Sequence, residues 1–256
     1  MNFDKSYLIL LLIFVGLIPI KSNAQQIVHV ENKRLKADES GWSGDVSIQV
    51  NFIQNINDIF QTANNASFQY TFEKNTLLSL SNYNLTIFNQ SKVVNEGFQH
   101  FRYNRTVTDV FSWEAFGQAQ FNEIIKIQFR SLLGTGPRIR IFENDSSKTR
   151  MYFGPLYMYE YEEETTGIIN RVHRMSAYVS LGIPIHKRFF IDMIAYYQPN
   201  IVDWRNYRSS VQASLEISII KKLILEIRLG LLYNSRPPEE IRNTFYNFSN
   251  GLKFRF

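Results

Sequence analysis

Three segments in the last fifty residues of this chain alternate apolar and polar side chains so regularly that only an extended backbone with two unlike faces fits them. Over 207–219, Tyr207, Val211, Ala213, Leu215, Ile217 and Ile219 oppose Arg208, Ser210, Gln212, Ser214, Glu216 and Ser218. Over 223–233, Leu223, Leu225, Ile227, Leu229 and Leu231 oppose Glu226, Arg228 and Gly230. The chain then ends with Tyr246, Phe248, Leu252, Phe254 and Phe256 on one face and Asn247, Ser249, Gly251, Lys253 and Arg255 on the other. A soluble domain seldom ends on a bulky aromatic, because chain ends fray into water. A strand with hydrocarbon on one side and a polar lumen on the other requires this pattern.

Earlier segments follow the rule. Val46, Ile48, Val50 and Phe52 oppose Asp45, Ser47, Gln49 and Asn51, and Phe111, Trp113 and Ala115 oppose Ser112 and Glu114. A long segment directs Ile125, Ile127, Phe129, Leu133, Ile139 and Ile141 outward, against Lys126, Gln128, Arg130, Gly134, Gly136, Arg138 and Arg140 inward. Segments 77–88 and 151–161 are apolar on both faces and leave their register open. The count is about twelve antiparallel strands, an even number as bacterial barrels require. With both ends in the periplasm, the links on that side are short, and those on the other side are expected to be longer: 55–63, 89–95, 162–169, 199–203 and 234–242. A lipocalin-type soluble barrel is the rival, with the apolar face inward and fewer strands.

The one long apolar run is at the start, after Lys5, and Ser22-Asn23-Ala24 follows it. That order predicts a cleavable signal peptide over 1–24, a periplasmic lead-in over 25–42 and a barrel over 43–256. The absence of cysteine excludes disulfides and thiolate chemistry. Aromatic residues make up 15% of the chain, with no second run of the length a membrane helix needs. The net charge is +5, but acids and bases interleave and form no basic patch, so nucleic acid is not an expected partner.

No metal-ligand, nucleotide-loop or nucleophile-elbow motif is present, so no catalytic residue, cofactor or metal is assigned. His100 with Ser112 or Ser81 is the nearest approach to a hydrolase set, which would need the imidazole beside the hydroxyl. The run Glu160, Glu162, Glu163 and Glu164 reads as a solvated loop, with a divalent-cation site as the sharper alternative. The inward basic set is Arg102, Lys126, Arg130, Arg138, Arg140, Arg174, Arg208, Arg228, Lys253 and Arg255. It implies either a lumen filled by salt bridges or a narrow passage with anion preference. Trp42, Trp113 and Trp204 with Tyr196, Tyr197, Tyr207, Tyr233 and Tyr246 are candidates for interfacial girdles.

The stretch Val30 to Arg34 followed by Gly41-Trp42-Ser43-Gly44-Asp45-Val46 resembles the opening of an uncharacterised bacterial outer-membrane β-barrel family (DUF481-like) that includes salt-induced outer-membrane proteins. The resemblance implies a signal peptide plus a single barrel, and carries no activity and no catalytic residue. Phe254 and Phe256 are similar to the terminal aromatic signal read by the barrel-assembly machinery, which implies that partner during insertion. The expected product is a monomeric all-β transmembrane antiparallel barrel in a Gram-negative outer membrane, surrounded by lipid. Its expected role is non-enzymatic: a narrow channel for small solutes, anionic ones included, or an envelope-integrity protein. A lipid-modifying enzyme and a surface-loop binding protein are the alternatives.

Overall fold

The computed structural model describes residues 40–54, 58–144, 146–186 and 188–255. The expected signal peptide, most of the lead-in and Phe256 lie outside them. Twelve strands, β1 Gly41–Gln54, β2 Asp58–Phe72, β3 Asn75–Phe88, β4 Ser91–Thr106, β5 Phe111–Asn122 and β6 Ile127–Asn144, then β7 Thr149–Glu164, β8 Ile169–His186, β9 Phe189–Pro199, β10 Tyr207–Ser218, β11 Leu223–Asn234 and β12 Thr244–Arg255, follow in order. Each pairs antiparallel with the next, and β1 meets β12 to close the barrel. The shortest strand, β9, has 11 residues, the length a membrane-crossing strand needs.

Both described chain ends lie at one end of the barrel, here the near end, because an even number of antiparallel strands returns to its start. The far end carries the links 55–57, 89–90, 123–126, 165–168, 200–206 and 235–243. Of the longer far-side links anticipated from sequence, 199–203 and 234–242 fall in the links 200–206 and 235–243, whereas 55–63 and 89–95 are mostly strand. Ladder pairing runs to Gln54–Asp58 and Phe88–Ser91, so 58–63 and 91–95 belong to β2 and β4. Asn89 and Gln90, with φ of 45° and 67°, turn β3 into β4 in two residues, the backbone a two-residue hairpin favours. Asn89 also accepts from the Asp58 amide at 2.8 Å.

The faces separate as the alternation requires. Ile48, Val50 and Phe52 stand outward and exposed, as do Leu229, Leu231, Leu252 and Phe254. Asp45, Glu114, Glu160, Asp192, Arg208 and Glu216 are buried within the ring. A lipocalin would reverse this polarity. Outward aromatics gather near both ends. Trp42 packs on Tyr70 with ring centroids 4.7 Å apart near one end. Tyr207 bridges Tyr197 and Tyr233 at 5.5 Å each near the other. Trp204 lies exposed in the far-end link 200–206. Tyr196 departs from the expected girdle, because it faces inward and packs on Tyr178 at 5.5 Å.

Irregularities reset the phase of β6. A 3-10 turn, Glu123–Ile125, is capped by Asn122 and ends on Lys126 in the left-handed region. A register shift between Ile127 and Phe129 follows. Ile125 and Ile127, expected outward, are therefore buried, while Phe129 and Leu133 remain exposed. A second shift between Arg140 and Phe142 leaves Ile141 and Phe142 both exposed.

The lumen also has an apolar layer. Leu156, Tyr178 and Ile194 form a buried cluster, flanked by Phe116 and Tyr196. Two glycines make this layer possible. A Cβ on Gly134 would lie 2.3 Å from Phe116, and one on Gly154 would lie 2.2 Å from Tyr178. Each ring lies over the bare backbone of its cross-strand partner. Gly154→Ala is therefore expected to displace Tyr178 and cost about 1–3 kcal/mol, as overpacking does. A urea-unfolding midpoint equal to that of the unaltered barrel would contradict this packing.

Candidate functional site: the barrel lumen

The inward basic residues are held by inward carboxylates, in three groups. The first lies toward the far end. Glu160, 1% exposed, accepts from Arg130 at 3.2 Å, Arg174 at 2.8 Å and Arg208 at 2.6 Å. Glu162 adds Arg208 at 2.9 Å and Arg130 at 3.4 Å. Arg174 also donates to the carbonyls of Gln198 and Asn206. Since Arg208 is on β10 and Glu160 on β7, the group ties together strands that are not neighbours.

The second group lies nearer the chain ends. Glu114 accepts from Arg102 at 3.0 Å, from the Tyr178 hydroxyl at 2.9 Å and from Asn104 at 3.0 Å. Arg138 stands 3.7 Å from Glu114, its guanidinium 3.7 Å from the Tyr152 ring centroid. The third group joins Lys253 to Glu226 at 2.9 Å and to Glu216, and Arg228 to Glu226.

The remaining sequence candidates are placed as follows. Arg140 pairs with Glu143, which also holds Arg150 at 2.8 Å, at the near end. Arg255 is the ladder partner of Asp45 in the closing seam. Phe254 faces outward, exposed. Lys126 is corrected. Its left-handed turn lifts it out of the lumen to the far mouth, where its ammonium donates to Glu240 at 2.5 Å and to the Glu239 carbonyl at 3.1 Å. That contact joins the β5–β6 link to the β11–β12 link, halfway round the ring.

The acidic run is also corrected. β7 continues through Glu164, so Glu160, Glu162 and Glu164 face inward and buried while Tyr157 and Glu163 take the other face. The alternation was present in the sequence, but four clustered acids resemble a loop. Among the described residues no group of carboxylates and histidines is arranged to hold a metal ion. His100 faces inward, its Nδ1 2.9 Å from Gln118 Oε1. Ser81 stands on the opposite side of the wall, bonded to Gln99. Ser112 pairs with Thr106, six residues along β4 from His100, or about 20 Å at the strand rise. The imidazole reaches neither hydroxyl.

A cavity of about 330 Å³ lies between β1–β4 and β11–β12, with Glu226 and Arg228 of the third group in its lining. Carboxamides dominate its lining: Gln49, Asn51, Gln61, Asn65, Asn84 and Asn247. Glu96 faces it and accepts from Asn84 at 2.8 Å and Asn122 at 2.5 Å. No basic cluster marked this site in the sequence, and its amides are scattered over four strands.

Removing one carboxylate tests the first group. Glu160→Ala leaves Arg130, Arg174 and Arg208 around a missing counter-charge and is expected to cost about 3–5 kcal/mol in unfolding free energy. Glu163→Ala, on the outer face, is expected to change it by less than about 0.5 kcal/mol. Equal effects of the two substitutions in urea titration would refute the buried cluster.

The likeness to solved structures is confined to fold. The NanC porin matches with a TM-score of 0.50 at 11% identity, covering 84% of this chain and 99% of that one. The KdgM porin matches over the same shares at 0.46 and 9%. The translocator domain of autotransporter NalP from Neisseria meningitidis covers 88% of this chain and 95% of its own at 0.43 and 10%. No curated protein matches the sequence. Residues 57–256 match the family described as "Protein of unknown function, DUF481". The chain thus belongs to the DUF481 family, and its architecture is a porin-like closed barrel of twelve antiparallel strands.

Proposed function

We propose that this protein is a narrow, non-enzymatic passage for small polar solutes in the outer membrane of a Gram-negative bacterium, held nearly shut at rest by its own ion pairs. The supporting observation is the division of the lumen. Carboxylates match Arg102, Arg130, Arg138, Arg174, Arg208, Arg228 and Lys253, while a cavity lined by carboxamides and by the Arg228–Glu226 pair stays open between β1–β4 and β11–β12. Cations so matched give an entering anion little net attraction, because opposite charges a few ångströms apart cancel at longer range. Conduction is therefore small and weakly selective, and preference for anions is latent.

In planar bilayers the folded protein is expected to give low conductance with similar permeability to cations and anions. Glu160→Gln removes one negative charge from among three guanidinium groups, so conductance is expected to rise and selectivity to shift toward anions. Electrical silence from both proteins, correctly folded, would overturn the passage. It would favour an envelope-integrity role, for which the apolar layer of Leu156, Tyr178 and Ile194 is the supporting observation.

The strap across the far mouth adds a pH dependence. The hydrogen bond and charge of Lys126 hold the Glu240 carboxyl below its ordinary value. A lowered folded-state value means that the contact is complete above the ordinary glutamate range and is lost as pH falls through the lowered one. Channel flicker is thus expected to stay constant from neutral pH down to that range and to rise below it. Glu240→Gln should flicker at every pH; an unchanged acid step in this variant would assign the effect to another group.

A further inference from the structure

The barrel wall is incomplete at one seam. β1 and β2 pair without interruption from Gly41–Thr71 to Gln54–Asp58. β11 and β12 likewise pair from Leu223–Phe254 to Tyr233–Thr244. β1 and β12 share only Asp45–Arg255 and Val46–Phe254 among the described residues. One further contact, from the Ser47 hydroxyl to the Leu252 carbonyl at 3.5 Å, marks where they part. From there to the far end, each strand presents an edge of backbone donors and acceptors toward the gap. Such edges are tolerated at membrane depth only where protein or a water-filled cavity meets them.

A cavity does meet them. The amide-lined space lies directly inside the gap, and Gln49 and Asn51 of β1 with Asn247 and Ser249 of β12 line it. The same two strands turn Ile48, Val50, Phe52, Tyr246 and Leu252 outward, all more than half exposed. The gap therefore joins a polar chamber to an apolar outer surface within two or three residues. The strap from Lys126 to Glu240 crosses the far mouth, and Ile124 of the same turn lines the chamber, so the side is the less obstructed approach.

We propose that the β1–β12 seam is a lateral port, through which a membrane amphiphile with an uncharged, hydroxyl-rich head places that head in the chamber while its chain stays in the bilayer. Carboxamides both donate and accept, which suits hydroxyl groups that do the same. The charges in the chamber do not select an ion. Arg228 is matched to Glu226, and Glu96 is held by two asparagine amides. A chamber of about 330 Å³ is at the lower end of the range for small-ligand sites. This port is distinct from the axial passage proposed above.

The chain contains no cysteine, so introduced thiols are unambiguous. The test uses the full barrel in phosphatidylcholine and phosphatidylglycerol vesicles containing dodecyl glucoside with a photoactivatable diazirine on the glucose ring. Label is expected on Gln49, Asn51 and Asn247. Val50→Cys with Asn250→Cys, which extends the existing register by four residues along each strand, is expected to draw the seam together on oxidation. Label at those positions then falls to background and returns on reduction. Asn84→Trp, which fills the chamber from the opposite wall, should abolish the label without any disulfide, and decides the matter if the cysteine pair does not oxidise. Label confined to the outward apolar face, or persisting in the locked or filled barrel, would overturn the port. So would a disulfide-linked dimer of Val50→Cys alone, which would give the edges to a second copy. Conductance of the locked barrel reads the axial passage separately: label lost with conductance kept supports the port and leaves the passage standing.

Discussion

The burial of charge inside a wall whose outer face is apolar is the constraint on which the structure depends. Twelve strands enclose a space narrow enough that many lumen-facing groups lose contact with bulk water, and an uncompensated ion there costs several kcal/mol. The chain meets this with shared counter-ions. Glu160 serves three guanidinium groups, Glu114 serves two with a tyrosine hydroxyl, and Glu226 serves Lys253 and Arg228. Arg208 with Glu160, Tyr178 with Glu114 and Lys253 with Glu216 reach between strands that do not pair. They therefore fix the cross-section of the barrel in a way that the ladders alone do not.

The filling is uneven, and the unevenness gives the molecule its functional character. β5 to β10 carry the rings, the apolar cluster and the Glu160 group, and approach a solid interior. Around the open space, β1 to β4, β11 and β12 contribute many shorter amide and hydroxyl side chains, with the Arg228–Glu226 pair among them. The weakest seam adjoins this open side. Fewer cross-lumen contacts there leave β1 and β12 without the support that keeps the other strands in register.

Much of this was legible in the sequence. β10 alternates without fault, the residues assigned to the two faces of β11 take those faces although inward Ile224 and Leu232 break its alternation, and Tyr246, Leu252 and Phe254 of β12 stand exposed against buried Lys253. The polarity of the faces also distinguished this barrel from a lipocalin. β3 was not legible, because Leu78 and Leu80 are as apolar as the residues expected to face lipid. Its phase comes from pairing with Ser67 and His100. β6 misled over its first residues, since one left-handed residue and one register shift turn Ile127 inward with no change in the pattern that follows. The far-side links over 55–63 and 89–95 looked longer than they are because Asn and Gln are as common in strands bordering a polar lumen as in turns. The ion-pair partners were not legible, since alternation places a side chain on a face but does not say which strands stand opposite. The chamber followed from no motif. It is the space left where the side chains are short.

A cysteine scan along β10 tests the account's central claim most directly, because this chain begins without thiols. Single cysteines from position 207 to 218, in lipid vesicles, are coupled to a nitroxide and read for collision with oxygen in the bilayer. The account predicts a strict period of two, with high collision rates at the positions of Ser209, Val211, Ala213, Leu215 and Ile217. Low rates are expected at those of Arg208, Ser210, Gln212, Ser214 and Glu216. Equal rates along the strand, or the opposite phase, would contradict it.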